Sequence, residues 1–118
     1  MRILIIGNLN GQIGAASQIA MKRGATVQQA DSVESGLHVL RSGQSSDLAL
    51  IDVSLDIAKL IQSLESERIV MPVVACGTGN DTQAAVQAIR SGAKEYLPLP
   101  PDADLISAVF EAIAEETH

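Results

Sequence analysis

Short aliphatic runs alternate along the chain with longer segments in which apolar residues recur at helical spacing. The short runs are almost uninterrupted, which is typical of strands that are covered on both faces. The longer segments carry polar residues on the remaining positions, as amphipathic helices do. The pattern predicts strands at Arg2–Ile6, Thr26–Gln29, Leu48–Ile51, Val73–Cys76 and Glu95–Leu97.

A helix is predicted after each strand, and turn residues mark several of the boundaries. Asp31 and Glu34 have the spacing of a capping box at the start of the second helix. In the fourth helix, Ala85, Val86 and Ile89 form the apolar stripe that we expect to face the core. Aspartates also stand where they can cap the fourth and fifth helices: Asp81 and Asp102.

Strands that are separated by single helices run parallel and are joined by right-handed crossovers. We therefore expect one α/β domain over residues 1–118, with a flavodoxin-like parallel sheet in the order 2-1-3-4-5 between two helical layers. The chemistry of such sheets lies beyond the carboxyl ends of the strands. The segments to consider are Gly7–Asn10, Asp52–Asp56, Cys76–Asn80 and Leu97–Pro100.

Composition narrows the classes of protein that fit this pattern. Only Tyr96 and Phe110 are aromatic, so the core is expected to be aliphatic. The 14 acidic and 8 basic residues give a net charge of −6, which argues against nucleic-acid binding by this domain. Cys76 is the single cysteine, is expected to be a small buried hydrophobe, and fits a reducing cytoplasm. No apolar run reaches the roughly 20 residues of a membrane span.

The first strand leads into a loop that contains three glycines, Gly7, Gly11 and Gly14. Such a loop can cradle a phosphate, and Asp31 stands roughly where a dinucleotide site has its ribose-binding carboxylate. The glycine spacing is wider than the G-x-G-x-x-G of that motif, and no residues remain for a substrate domain. A turn into the first helix is the favoured interpretation, and nucleotide binding is the weaker alternative.

The strand ends carry a resemblance to a known family. The phrases "DLALIDVSLD", "MPVVACG" and "AIRSGAKEYLPLP" resemble the receiver domain of two-component response regulators over essentially the whole chain. The resemblance implies a CheY-like fold. It also implies that Asp52 is the equivalent of the phosphate-accepting aspartate and Tyr96 that of the switch aromatic.

A narrower resemblance is carried by "LNGQ", "LDIAKLI", "VVACG" and "GAKEYLPLPPDADLI". These phrases are similar to the first domain of FlbD-type flagellar regulators, which are NtrC-like activators of sigma-54 RNA polymerase. The resemblance implies that an ATPase domain and a DNA-binding domain normally follow. Neither lies within these residues, so no ATPase or DNA-binding activity is assigned to them.

The family's acidic pocket is degenerate in this sequence. Gly7 and Asn8 stand where the resemblance implies two metal-binding acids, Gly77 replaces a Ser or Thr, and Leu99 replaces a lysine. Of the site residues that the resemblance implies, Asp52 is the one that the sequence retains. Because Mg²⁺ gives up its water reluctantly and an unpaired buried charge costs several kcal/mol, we expect no metal, no cofactor and no catalysis here.

The first functional hypothesis is therefore a regulatory interaction module. It would form a homodimer through the fourth helix, fifth strand and fifth helix, or bind a flagellar regulatory protein, without contacting nucleic acid or membrane. Small residues, Ala84 and Ala88, would allow a partner helix to approach. The expected contact residues are Gln83, Gln87, Arg90, Lys94, Tyr96 and Asp104.

The alternative hypothesis is a phosphorylation-dependent receiver that accepts a phosphoryl group on Asp52. It would need substitute ligands for the metal, such as Asn10 or Asp56.

Overall fold

The computed structural model of the protein describes residues 2–8, 11–43, 46–78, 82–99, 104, 106–108 and 111. Residues 104, 106–108 and 111 are helical and lie in the last predicted helix. The elements alternate along the chain as the periodicity predicts. They are β1 (Arg2–Ile6), α1 (Ile13–Lys22), β2 (Thr26–Ala30), α2 (Val33–Arg41), β3 (Leu48–Asp52), α3 (Ile57–Ser66), β4 (Val73–Thr78), α4 (Thr82–Ser91) and β5 (Glu95–Leu99).

The strands form a parallel sheet in the order β2-β1-β3-β4-β5, which confirms the predicted topology. Ile6 pairs with Ile51, and Asp52 pairs with Cys76. The carboxyl ends of β1, β3 and β4 therefore meet at one edge of the sheet. This register brings Gly7, Asp52 and Gly77 together although they are far apart in sequence.

Two aliphatic clusters cover the two faces of the sheet. One contains Leu4 and Ile51 with residues of α2, α3 and α4, including Leu60. The other contains Ile3 and Ile5 with residues of α1 and the last helical segment, including Ile106. The layers are those of the predicted three-layer arrangement, and branched aliphatic side chains fill most of the interior.

The two strands nearest one edge of the sheet are longer than predicted. β4 continues to Thr78, and β5 continues through Pro98 to Leu99. Proline is tolerated there because β5 is the outermost strand, where one row of backbone N–H groups has no neighbouring strand to bond. The extension pairs Gly77 with Pro98 and Thr78 with Leu99.

The helix caps correct one prediction. α2 is capped by Ser32, whose hydroxyl accepts the backbone N–H of Ser35 at 3.1 Å, so the assignment of Asp31 as the cap is wrong. Ser32 competes equally well for a cap position, because Ser and Asp have similar preferences there. The predicted caps Asp81 and Asp102 lie outside the described residues.

The orientation of α4 also differs from the prediction. Val86 and Ile89 are 43% and 47% exposed, whereas Ala88 is buried among the core residues. The face that packs inward carries small residues at helical spacing: Ala84, Ala88 and Ser91. Small side chains let the helix lie close to its neighbours, and this outweighs the hydrophobicity of the larger residues. Ala88 is therefore unavailable to a partner helix.

Candidate functional site

Asp52 ends β3 and is 6% exposed. Its Oδ1 accepts two hydrogen bonds from Ser54, one from the backbone N–H at 2.9 Å and one from the hydroxyl at 2.8 Å. Aspartate commonly folds back on the backbone two residues ahead in this way. The carboxylate thus anchors the turn between β3 and α3.

Asp56 closes the same turn at its far end. Its side chain accepts the backbone N–H of Lys59 at 3.0 Å and caps α3. The helix-capping role was not predicted from the sequence, although Asp before an apolar helical stripe is a recognisable cap signal. Asp56 is therefore committed to the helix start, and Asn10, the other proposed substitute ligand, lies outside the described residues.

Cys76 lies beside Asp52 on β4 and is fully buried. Burial, and secondarily the neighbouring Asp52 carboxylate, raises the pKa of the Cys76 thiol to about 12. The thiol therefore stays protonated at neutral pH and offers no reactive thiolate. The prediction that Cys76 is a small buried hydrophobe is confirmed.

Gly7 follows β1 with a φ of +98° and donates its N–H to the carbonyl of Ala30 at 2.7 Å. A Cβ built on Gly7 would lie 2.8 Å from the Asp52 Cβ and 2.9 Å from Cδ1 of Leu55. Both distances are shorter than side chains tolerate, and the backbone conformation itself favours glycine. The space for a side chain at position 7 is thus already occupied.

Gly77 is the second glycine at this edge and is equally enclosed. A Cβ at this position would lie 2.6 Å from Cγ1 of Val53 and 2.7 Å from the hydroxyl oxygen of Tyr96. Tyr96 is half-buried and packs against the cluster on the α2, α3 and α4 face. The phenol therefore occupies the space where a Ser or Thr side chain would project.

Leu99 and Asn8 complete the predicted degenerate pocket. Leu99 is buried in the opposite cluster with Cys76, Leu97 and Ile106, where it can offer an anion neither charge nor hydrogen bond. Asn8 is exposed beside Gly7. The structure packs Gly7 against Asp52, places Gly77 at the same edge of the sheet against Val53 and Tyr96, and buries Leu99 in the apolar layer on the other face.

Mg²⁺, which the family resemblance implies, does not fit these residues. The ion requires near-octahedral oxygen ligands and retains much of its water. Within the described ranges, no group of three His, Cys, Asp or Glu side chains could hold a metal. Gly7 supplies no side-chain oxygen, and one oxygen of Asp52 is already bonded to Ser54.

The glycine loop is also poorly suited to a nucleotide. The N–H of Gly7 is already bonded to Ala30, and the Asp52 carboxylate stands immediately beside the loop. A phosphate cradle needs free N–H groups and positive potential. Both features argue for the turn and against the weaker nucleotide-binding alternative.

The predicted contact residues lie on α4, in β5 or just before it, and in the last helical segment. Tyr96 is half-buried, and the others are exposed: Gln83, Gln87, Arg90, Lys94 and Asp104. Sequence reasoning missed Val86 and Ile89, which it assigned to the core. A shallow depression of about 580 Å³ on α4 is lined by Thr82, Gln83, Ala84, Val86, Gln87 and Arg90.

Comparison with known proteins identifies the class. A two-component response regulator from Clostridium difficile superposes with a TM-score of 0.83 at 20% identity, covering 100% of this chain and 98% of that one. The receiver domain of NtrX from Brucella abortus superposes with a TM-score of 0.82 at 24% identity, covering 96% and 98%. No protein-family model matches the sequence. The chain therefore has the fold of the receiver domains of response regulators.

A relative in sequence is the transcriptional regulatory protein FlbD from Caulobacter vibrioides. It is 48% identical over 116 residues, which cover 98% of this chain and 26% of FlbD. The resemblance to FlbD-type regulators is thereby confirmed, and the chain spans about a quarter of the length of that relative. In the part of the chain that the structure describes, no helix is long and apolar enough to cross a membrane.

Proposed function

We propose that this receiver domain is a regulatory protein-interaction or dimerisation module of a sigma-54-dependent flagellar transcriptional activator, and that conventional phosphorylation does not control it. The observation that carries the proposal is the closed packing at Asp52. Asp52 is 6% exposed, a side chain at position 7 would meet its Cβ at 2.8 Å, and Ser54 holds its Oδ1.

The energetics of phosphorylation support this reading. A phosphoryl group adds a charge of about −1.5 to −2 and several strong acceptors. The described residues that surround Asp52, namely Gly7, Ser54, Leu55 and Cys76, carry no positive charge. Placing such an anion without a counter-charge in a partly dry site costs several kcal/mol. Modification of Oδ1 would also displace the Ser54 bonds that hold the turn.

The exposed apolar residues of α4 support an interaction role. Val86 and Ile89 are large hydrophobic side chains that the fold leaves nearly half exposed. Exposed charged residues of both signs belong to the predicted contact set: Arg90 on α4, Lys94 just before β5, and Asp104 in the last helical segment. A surface with both charge signs around an apolar centre suits a self-complementary contact across a two-fold axis.

Sedimentation equilibrium of the 118-residue chain tests the homodimer. We expect a reversible dimer that Val86→Asp and Ile89→Asp each convert to monomer, because a carboxylate would be buried at the contact. Met21→Asp is the matched control, since Met21 is 53% exposed on α1, which packs on the opposite face of the sheet. A dimer that survives both α4 substitutions contradicts this face.

A monomer at all concentrations contradicts the homodimer and leaves the flagellar regulatory protein as the partner. In that case a photo-crosslinking residue at position 89 of the longer regulator, in flagellated cells, should capture one regulatory protein. The same residue at position 21 should not. Equal cross-linking from both positions, or none from position 89, contradicts the interaction module.

The alternative function is phosphoryl acceptance on Asp52, which the survival of a carboxylate at the tip of β3 favours. Incubation with acetyl phosphate and magnesium, followed by mass spectrometry of the intact protein, tests it. We expect no phosphoryl adduct. An adduct that disappears in Asp52→Asn would establish the alternative.

A further inference from the structure

The two edges of the sheet differ in how they are protected against pairing with a further strand. At one edge, β5 carries the charged residue Glu95 and the proline Pro98, and both hinder the addition of a strand. At the other edge, β2 has the sequence TVQQA, with no charge and no proline. In the part of the chain that the structure describes, no strand lies beyond β2. The edge at β2 is therefore open.

The hydrogen bond from Gly7 shows which backbone groups of β2 point outward. The Gly7 N–H bonds to the Ala30 carbonyl at 2.7 Å, so the backbone groups of Ala30 face β1. Successive residues of a strand direct their N–H and C=O groups to alternate sides. Val27 and Gln29 therefore direct theirs to the open side, where a further strand can bond to them.

Opposite charges flank β2 along the chain. Lys22 and Arg23 lie at the end of α1, just before the strand, and Asp31 follows the strand directly; all three are exposed. Among the described residues, the ion pairs involve neither Arg23 nor Asp31. A second copy of the strand that runs antiparallel brings its basic end to the acidic end of the first, and its acidic end to the basic one. This charge complementarity favours a second copy of the chain as the occupant of the edge.

We propose that two copies of this chain pair through β2, antiparallel about a two-fold axis at Gln28. In this register Val27 of each copy pairs with Gln29 of the other, which makes four backbone hydrogen bonds across the axis. Arg23 lies two positions from direct opposition to Asp31 of the other copy, which its long side chain can reach.

The small size of the contact sets its strength. Each copy contributes one five-residue strand and the charged residues at its ends, whereas stable specific interfaces bury about 1,200–2,000 Å². We therefore expect association at millimolar concentration and not at the lower concentrations of sedimentation equilibrium. The contact goes beyond the α4 face proposed above and lies at the opposite edge of the sheet, so the two form independently.

Nuclear magnetic resonance of the 118-residue chain at millimolar concentration tests the pairing. We expect a nuclear Overhauser effect between the α-protons of Thr26 and Ala30, which lie opposite each other as a non-hydrogen-bonded antiparallel pair. Within one chain these residues stand at the two ends of β2, about 13 Å apart, so the cross-peak arises only between copies. Its absence in the folded wild-type chain overturns the proposal.

Charge reversal tests the register. Arg23→Glu and Asp31→Arg should each abolish the cross-peak, because each brings like charges together, and the double variant should restore it. Arg68→Glu is the matched control, since it makes the same change of charge on an exposed residue between α3 and β4, away from β2. A cross-peak that survives both single reversals, or that the double variant fails to restore, overturns the pairing in this register.

Hydrogen exchange reports on the backbone separately. The Val27 and Gln29 amides should gain protection as the concentration rises. Val27→Pro removes one outward N–H and no bond to β1, and it should abolish the cross-peak. If Val27→Pro does not fold, the charge variants decide the question. Protection of the two amides without the Thr26–Ala30 cross-peak would mean that another segment occupies the edge, and it overturns the second copy as the occupant.

Val86→Asp separates this contact from the α4 dimer. The cross-peak should persist in that variant, because α4 packs beside β4 and β5, away from β2. A wild-type dimer in sedimentation equilibrium that gives no cross-peak at millimolar concentration supports the α4 face and refutes the edge pairing. A cross-peak in a chain that shows neither the α4 dimer nor a cross-linked partner supports the edge pairing and refutes the interaction module.

Discussion

Gly7 is the residue whose surroundings most directly oppose a restored acidic site. Its φ is +98°, and a Cβ there would approach both Asp52 and Leu55 within 3 Å. A carboxylate at position 7 must therefore adopt a strained backbone and push aside a neighbour. The family's acid pair cannot be reinstated by substitution without reshaping this loop.

Gly7→Asp is expected to destabilise the protein by about 2–5 kcal/mol, the sum of left-handed backbone strain and overpacking. Urea denaturation measures the loss. Gly11→Asp is the matched control, because Gly11 also has a positive φ, +82°, but nothing within 4 Å. It should lose about 1–2 kcal/mol. Equal losses in the two variants would contradict the crowding at position 7.

Arg68 is a second position where the backbone conformation decides the outcome. It has a φ of +59° just beyond the end of α3, where Ile69 N–H bonds to the Leu64 carbonyl at 2.8 Å. This is the left-handed helix end at which glycine is preferred. Glycines with positive φ stand at the corresponding position just after α1, α2 and α4: Gly24, Gly43 and Gly92.

Arg68→Gly is expected to stabilise the protein by about 1 kcal/mol, since it removes most of the left-handed penalty. Arg68→Ala should bring no such gain, because alanine pays the same penalty. Thermal and urea unfolding check both variants. A stabilisation of Arg68→Ala equal to that of Arg68→Gly would show that the lost side chain, and not the backbone, is responsible.

At the scale of elements, two exposed ion pairs join α2 to α3. Arg41 donates two hydrogen bonds to the Glu67 carboxylate at 2.7 and 2.8 Å, and the Lys59 ammonium contacts Glu34 at 3.0 Å. The hydrogen bond from Arg41 lowers the pKa of Glu67, and its charge acts in the same direction. Because the folded-state pKa is depressed, this stabilisation is present at neutral pH and is lost on acidification.

The stability difference between wild type and Glu67→Gln should therefore shrink as the pH falls from neutral to about 3, through the range in which glutamate titrates. Denaturant unfolding at several pH values measures it. Glu65→Gln is the control, an exposed carboxylate in the last turn of α3, two residues before Glu67. A difference for Glu67→Gln that is constant with pH would contradict the ion-pair contribution.

The order of the elements was predictable because each strand is a short aliphatic run and each helix has its own periodicity. The face of α4 that packs against the sheet was not predictable in this way. Hydrophobicity alone favours burying Val86 and Ile89, but the space beside the sheet admits only small side chains such as Ala88. Which stripe fits depends on inter-element distances that a single sequence does not contain. The extension of β5 through Pro98 likewise depends on its being the outermost strand.

At the scale of the whole molecule, the parallel topology could be predicted because single helices join the strands. The carboxyl ends of the strands then indicated which segments could form a functional site. The sequence also showed which groups stand at positions 7, 77 and 99. It did not show that Leu55 and Tyr96 fill the spaces beside the two glycines, nor that Ser54 holds Asp52. Those contacts join residues whose side-chain directions are set only when the sheet is assembled.

We infer that the buried, uncharged surroundings of Asp52 leave the domain without a magnesium-dependent phosphoryl switch. An amide chemical-shift titration with magnesium and beryllofluoride tests it most directly, with Asp52→Asn as the reference for non-specific effects. We expect the same small shifts in both proteins and none centred on residues 7, 52 and 77. Saturable, magnesium-dependent shifts around Asp52 that spread to α4 and are absent from Asp52→Asn would contradict it.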